Sequence, residues 1–247
     1  MLTTQEYGTG APELLIAHGL FGSGRNWGAI AKRLSNDRRV VTVDMRNHGT
    51  SLWSDRHDYA AMADDLAKAI DGKSDVLGHS MGGKAAMQLA LSHPDSIRKL
   101  VIADIAPVAY GHSQRDLIAA MRAVDLSRVV KRSDANEQLA QRIDDAGVRA
   151  FLLQSLDVAA KTWRLNLDTL DAEMATIIGW PDSPGRFDGP TLILSGALSD
   201  YVRPEHRAAI KAQFPNARFA KIRDAGHWLH ADKPREFEAA VRAFLDA

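Results

Sequence analysis

No cysteine occurs anywhere in the 247 residues. That excludes disulfides, thiolate metal sites and a cysteine nucleophile, and it fits a reducing compartment. Neither sign of charge dominates, since 31 Lys and Arg balance 31 Asp and Glu. No global field therefore attracts nucleic acid or an anionic membrane, and neither is expected as a partner. No apolar run approaches the roughly 18 residues of a membrane-spanning helix. The first ten residues are polar and lack the apolar centre of a signal peptide, so the expected location is cytoplasmic. Internal repeats and low-complexity tracts are also missing. What remains is ordinary globular composition, 45% hydrophobic and 25% charged. A chain of this length leaves about 11,000 Å² exposed and buries a sizeable core. It is large enough to be a stable monomer or a small homo-oligomer.

Short apolar runs alternate with longer helical patterns. Leu14–Ala17, residues 40–43, 75–77, 100–103 and 191–194 read as buried strands, with 219–222 a weaker one. Helices are expected over 26–34, 59–70, 82–92, 204–214 and 234–245. The 59–70 pattern places apolar residues at 59, 62, 63, 66, 67 and 70, a helical stripe. This alternation implies an α/β fold, with a parallel sheet and helices on both faces. From Gly111 to Gly185 the rhythm breaks into helical patterns without a convincing strand, over 113–121, 134–144, 148–156 and 167–178. About 75 residues are too many for a loop. The segment reads as a cap, 111–185, on a core made of 1–110 and 186–247.

Three motifs carry chemistry. Gly78-His79-Ser80-Met81-Gly82-Gly83 lies between a strand and a helix, the context of a nucleophile elbow. A serine on such a turn is strained by about 1–3 kcal/mol. Glycines two residues to either side remove Cβ atoms that would clash, and the next helix aims its free N–H groups at the same spot. The bland alternative is a serine that merely caps that helix. The second motif, His18-Gly19-Leu20-Phe21-Gly22, ends the first apolar strand. An oxyanion needs two backbone donors; Met81 should supply one and Leu20 the other, with Phe21 as the alternative. The third is Ala225-Gly226-His227-Trp228, after the last strand. Late and loop-borne, His227 is the candidate base. His79 should point away from Ser80, and His230 has no clustered partners for a metal site.

Together with Asp44-Met-Arg-Asn-His-Gly-Thr-Ser51, Lys84 after the elbow, Asp104-Ile-Ala-Pro107 and the extension to Ala231, these motifs resemble the α/β-hydrolase superfamily, and within it the YbfF- and ABHD11-like serine esterase subfamily. The resemblance covers the whole chain. It implies the α/β-hydrolase fold, a mostly parallel central sheet flanked by helices, with a helical cap after the sixth strand. It also implies a carboxylesterase or acyl-CoA thioesterase with a small-molecule acyl ester or thioester as partner, and with no cofactor and no metal.

The acid of the triad is open chiefly between two residues, with Asp168 on a helix of the cap a distant third. Superfamily members usually carry it in a Gly-x-x-Asp-x-x-Val frame, which here reads Gly196-Ala-Leu-Ser199-Asp200-Tyr-Val202. Asp200 comes one residue late, and such a shift re-aims a side chain in a tight loop. Asp104 ends the preceding strand, the arrangement the subfamily resembles, and is preferred. The segment from Asp44 to Ser51 reads as loop-shaping, with Asp44 paired to Arg46 or His48. The expected mechanism is acyl transfer from Ser80, with His227 as base, and activity falling at acid pH as His227 takes a proton. Phe21 and Trp228 flank these positions and are candidate substrate contacts, as is Trp180 where the cap returns. Phe151, Leu152 and Trp163 are read mainly as cap core. The same triad serves perhydrolases, haloperoxidases and C–C hydrolases of this fold, and some members only bind ligands. All three roles are filled here, which favours catalysis.

Overall fold

A computed structural model describes residues 1–247. The strands are β1 (Thr3–Tyr7), β2 (Leu14–Ala17), β3 (Val40–Asp44), β4 (Ser74–His79), β5 (Ile97–Ala103), β6 (Leu156–Asp157), β7 (Thr162–Trp163), β8 (Thr191–Gly196) and β9 (Ala217–Ile222). The α-helices are α1 (Gly28–Leu34), α2 (Tyr59–Ala69), α3 (Met81–Ser92), α4 (Arg115–Arg122), α5 (Arg132–Leu139), α6 (Ala146–Leu152), α7 (Leu167–Ala172), α8 (Met174–Ile178), α9 (Arg207–Gln213), α10 (Leu229–Asp232) and α11 (Pro234–Asp246). Seven strands form one sheet in the order β1-β3-β2-β4-β5-β8-β9. Only β1 runs antiparallel to its neighbour. No helix is long and apolar enough to cross a membrane.

Period-two alternation sorts the strand side chains onto two faces. Leu14, Ile16, Leu77, Val101 and Leu194 pack with Trp27, Phe237 and Val241 of the α1–α11 side. Leu15, Ala17, Val76, Leu100 and Ile102 join Met62, Leu66, Ala86 and Leu89 on the α2–α3 side. Because both faces are covered, these strands read as unbroken apolar runs. Local chemistry sets the helix ends. The Asp58 side chain accepts from the Ala61 N–H at the start of α2, and Pro234 opens α11. The exposed surface is 11120 Å², as expected for the length.

Four features differ from the sequence reading. β1 was not expected. Its side chains are mostly exposed, so it carries no apolar signal, and its backbone ladder to β3 holds it. The insertion leaves after the fifth strand in chain order rather than the sixth, because only β1 precedes β2 to β5. Within the insertion a two-residue hairpin, β6–β7, interrupts the helices. The long patterns at 134–144 and 167–178 are also shorter in fact, α5 ending at Leu139 and the second splitting at Glu173. The insertion's Ile118, Leu139, Leu152, Trp163 and Leu170 belong to the same buried cluster as the α2–α3 side of the sheet, so one apolar core runs through both.

Candidate active site

Strand order brings the motifs together. β4 and β5 are neighbours, β8 is next to β5, and β9 follows. Their C-terminal ends all lie on one side of the sheet, where α/β folds bind ligands. The ladder continues past the strand ends: Ser80 N–H donates to the Ala103 carbonyl (3.0 Å), and Asp104 N–H to the Leu194 carbonyl (2.9 Å). Ser80 and Asp104 are thereby fixed side by side at the ends of adjacent strands.

Ser80 has φ +52° and ψ −121°, a backbone strained for a residue with a Cβ. The glycines around it permit the turn. A Cβ on Gly78 would lie 2.3 Å from the Gly82 carbonyl oxygen, and one on Gly82 would lie 2.4 Å from that of His18. Ser80 makes no side-chain cap to α3, so the bland reading fails. Instead its hydroxyl donates to His227 Nε2 at 3.0 Å, and His227 Nδ1–H donates to Asp104 at 2.8 Å.

Asp104 is fully buried. Two further donors reach it, the Gly196 N–H at 3.1 Å and the Ser199 hydroxyl. These bonds offset the cost of burying a carboxylate. Asp200 is exposed, and its side chain forms no hydrogen bond. Ser199, standing where relatives of this fold usually carry the acid, supplies a donor to Asp104 rather than a charge. Tyr201 stacks on the His227 ring with centroids 3.9 Å apart, a contact that no sequence motif signals.

The backbone N–H groups of Leu20 and Met81 donate no hydrogen bond, and both residues line the cavity that opens on Ser80. The alternative donor, the Phe21 N–H, is already committed to His48 Nε2 at 3.1 Å. His79 points away from Ser80 and donates to the His227 carbonyl (2.9 Å), while His230 stacks on Trp27 at 4.1 Å. Burial pushes both rings below the usual imidazole range, His230 to about 3, so both stay neutral. The Asp44 carboxylate takes the N–H groups of Gly24 and Thr50, whereas Arg46 pairs with Asp65 at 2.7 Å. The expected pairing of Asp44 with Arg46 or His48 does not occur, because these backbone donors occupy its oxygens.

A cavity of about 270 Å³ opens on Ser80 and His227. Leu20, Phe21, Met81 and Trp228 line it, as does Phe151 from the insertion. The Phe151 and Trp228 rings approach to 5.5 Å. Trp180 is not in the lining. Its ring packs 6.1 Å from that of Tyr59, which takes the lining position instead. Leu152 and Trp163 are buried away from the cavity, and Trp163 Nε1–H donates to the Met121 carbonyl. Sequence reasoning missed Lys84 as a lining residue. It is buried among Tyr59, Tyr110 and the carbonyls of Ile178 and Gly179.

Known proteins resemble this one over the whole chain. The chain is 43% identical over 248 residues to the sn-1-specific diacylglycerol lipase ABHD11 of Mus musculus, covering 95% of this chain and 81% of that one. It is 41% identical over 249 residues to the esterase YbfF of Escherichia coli, covering 99% and 96%. A solved structure described as a marine microorganism esterase superposes with a TM-score of 0.94 at 36% identity, covering 98% of both chains. The alpha/beta hydrolase fold family matches residues 12–234. On that span and those identities, the chain belongs to the α/β-hydrolase fold family.

Proposed function

We propose that this protein cleaves acyl esters or acyl thioesters by two-step acyl transfer through Ser80. That it is an ester-bond hydrolase follows from its family and from relatives named for esterase and lipase activity. The observation that carries the finer reading is the continuous relay from Ser80 through His227 to Asp104, at 3.0 and 2.8 Å. In the proposed reaction His227 Nε2 takes the Ser80 proton as the oxygen attacks the acyl carbonyl. Asp104 holds the Nδ1–H tautomer and stabilises the imidazolium. The Leu20 and Met81 N–H groups receive the oxyanion, each contributing about 3 kcal/mol. The proton then passes to the departing alcohol or thiol, and water activated by His227 releases the acid.

The insertion acts as a lid over the acyl site, with Phe21, Phe151 and Trp228 touching the substrate. The test is hydrolysis of p-nitrophenyl esters from acetyl to decanoyl, with Ser80→Ala beside the wild type. The serine variant should lose about 10⁴-fold or more. Retained activity in Ser80→Ala would refute the nucleophile. Parallel acyl-CoA assays on the same pair decide between oxygen esters and thioesters.

A further inference from the structure

Residues 19–22 form a tight turn closed by the Gly22 N–H to the Gly19 carbonyl at 3.0 Å. Phe21 sits in it at φ +63°, a left-handed conformation without glycine's freedom. Such a conformation persists only where the surroundings over-determine it. Each peptide unit of the turn is held by one buried side chain. His18 Nδ1–H donates to the Gly19 carbonyl at 2.7 Å. The N–H of that same planar peptide belongs to Leu20, so it must point the opposite way. His48 Nε2 accepts the Phe21 N–H at 3.1 Å, its tautomer set by Nδ1–H donation to the Arg46 carbonyl at 2.8 Å. The Phe21 carbonyl accepts from the Ser155 hydroxyl at 2.8 Å.

The third of these holders comes from the insertion. Ser155 lies 134 residues from Phe21 in sequence and is buried. Its own segment is stitched to the one that carries His48. The Arg164 N–H donates to the Ser155 carbonyl (2.8 Å), the Gly49 N–H to the Arg164 carbonyl (2.8 Å), and the Asn166 N–H to the Asn47 carbonyl (3.0 Å). His48 and Leu165 form a β-bridge between the same two stretches. The two grips on Phe21 therefore move together.

We infer that Ser155 is a positioning residue for the oxyanion site, so that seating of the insertion and assembly of that site are one event. The inference rests on the Ser80 reading above. Without the Ser155 hydroxyl, the Phe21 carbonyl loses its only donor and the left-handed turn is gripped from one side. The turn then relaxes and the Leu20 N–H swings off target. An oxyanion exists only in the transition states, so the loss falls on kcat and leaves substrate binding alone.

The test compares Ser155→Ala, Ser155→Cys and Ser155→Thr in the full chain. One readout is ester turnover. The other is inhibition by an alkyl trifluoromethyl ketone of matched length. There the Ser80 oxygen bonds to the ketone carbon, the carbonyl π pair becomes an oxyanion, and the proton moves to His227. Ser155→Ala should lower kcat about tenfold with KM within about twofold. Its affinity for the ketone should fall by the same factor, while inhibition by the matching carboxylic acid, which needs no oxyanion, stays constant. Ser155→Thr should restore both, and Ser155→Cys, a weaker donor, should fall between and serve if alanine does not fold. Wild-type kcat and ketone affinity in Ser155→Ala, or a change confined to KM or melting temperature, would overturn the inference. If Ser80→Ala is inactive while Ser155→Ala behaves as wild type, this inference alone fails; if Ser80→Ala stays active, the underlying reading fails.

Discussion

Asp104 has no exposed surface, yet it accepts hydrogen bonds from His227, Ser199 and Gly196. Removing its charge leaves the shape and changes the partner. Asp104→Asn turns one acceptor into a donor and favours the wrong tautomer of His227, so ester turnover should fall by about 10⁴-fold. Asp200→Asn, at an exposed side chain, should stay within about twofold. Steady-state kinetics of the two variants on one ester checks both, and a reversed order would move the acid to Asp200. The residue scale is also where the sequence was least decisive. Residue types and spacing named both carboxylates, and a one-residue offset in the 196–202 loop weakened Asp200 without excluding it. The stacking of Tyr201 on His227 and the hydroxyl of Ser199 on Asp104 join residues distant in sequence, and no local pattern encodes such contacts.

The strand–turn–helix from β4 to α3 was legible because its constraints are local. Two glycines flank a serine at the change from a strand pattern to a helical one. The distances give this physical content. A Cβ added at Gly82 would sit 2.4 and 2.5 Å from the carbonyl oxygens of His18 and Ala17, which are backbone atoms and cannot step aside. Gly82→Ala should therefore destabilise the fold by about 3 kcal/mol or more, read as a lowered urea midpoint.

Two residues further along the same helix, Lys84 is buried with no carboxylate beside it, and desolvation pushes its pKa down to about 7. The unfolded chain keeps the proton up to the ordinary value of 10.5. Between these values the unfolded state binds more protons, so this group makes stability rise with pH and lose ground as pH falls toward 7. Lys84→Met removes that slope. Its stability relative to wild type should decline by about 1.4 kcal/mol per pH unit from pH 7.5 to 9.5, measured by denaturant titration. A parallel pair of curves would show that Lys84 stays charged in the fold. The helices of the insertion were harder to read: Asp145 and Asn166 cap the starts of α6 and α7, but neither glycine nor proline marks the stop of α5 at Leu139 or the break at Glu173.

At the scale of the molecule, the main pH response should come from histidines. Burial lowers His18 to about 4 and His48 and His230 to about 3, and it pushes His57 and His79 well below 6.5. The unfolded chain protonates these rings near 6.5, while the folded chain holds them neutral. Stability is therefore full above pH 6.5 and lost as pH falls toward 4, by about 1.4 kcal/mol per pH unit for each ring. Urea unfolding at pH 7 and pH 5 should show a steep fall in midpoint, and equal midpoints would contradict their neutrality. Activity should decline at acid pH as well.

The sequence by itself determined the fold class, because two-sided burial leaves unbroken apolar strands and helices leave a 3.6-residue stripe. It also determined the serine motif, because a strained turn between strand and helix demands glycine at fixed offsets. Only the tertiary structure decided what depends on strand order and on the seating of the insertion. The adjacency of β4, β5 and β8 brings Asp104 rather than Asp200 within reach of His227. Packing on the sheet sends Phe151 into the cavity and turns Trp180 toward Tyr59. Those outcomes are set by contacts between residues far apart in the chain, which a local pattern does not carry.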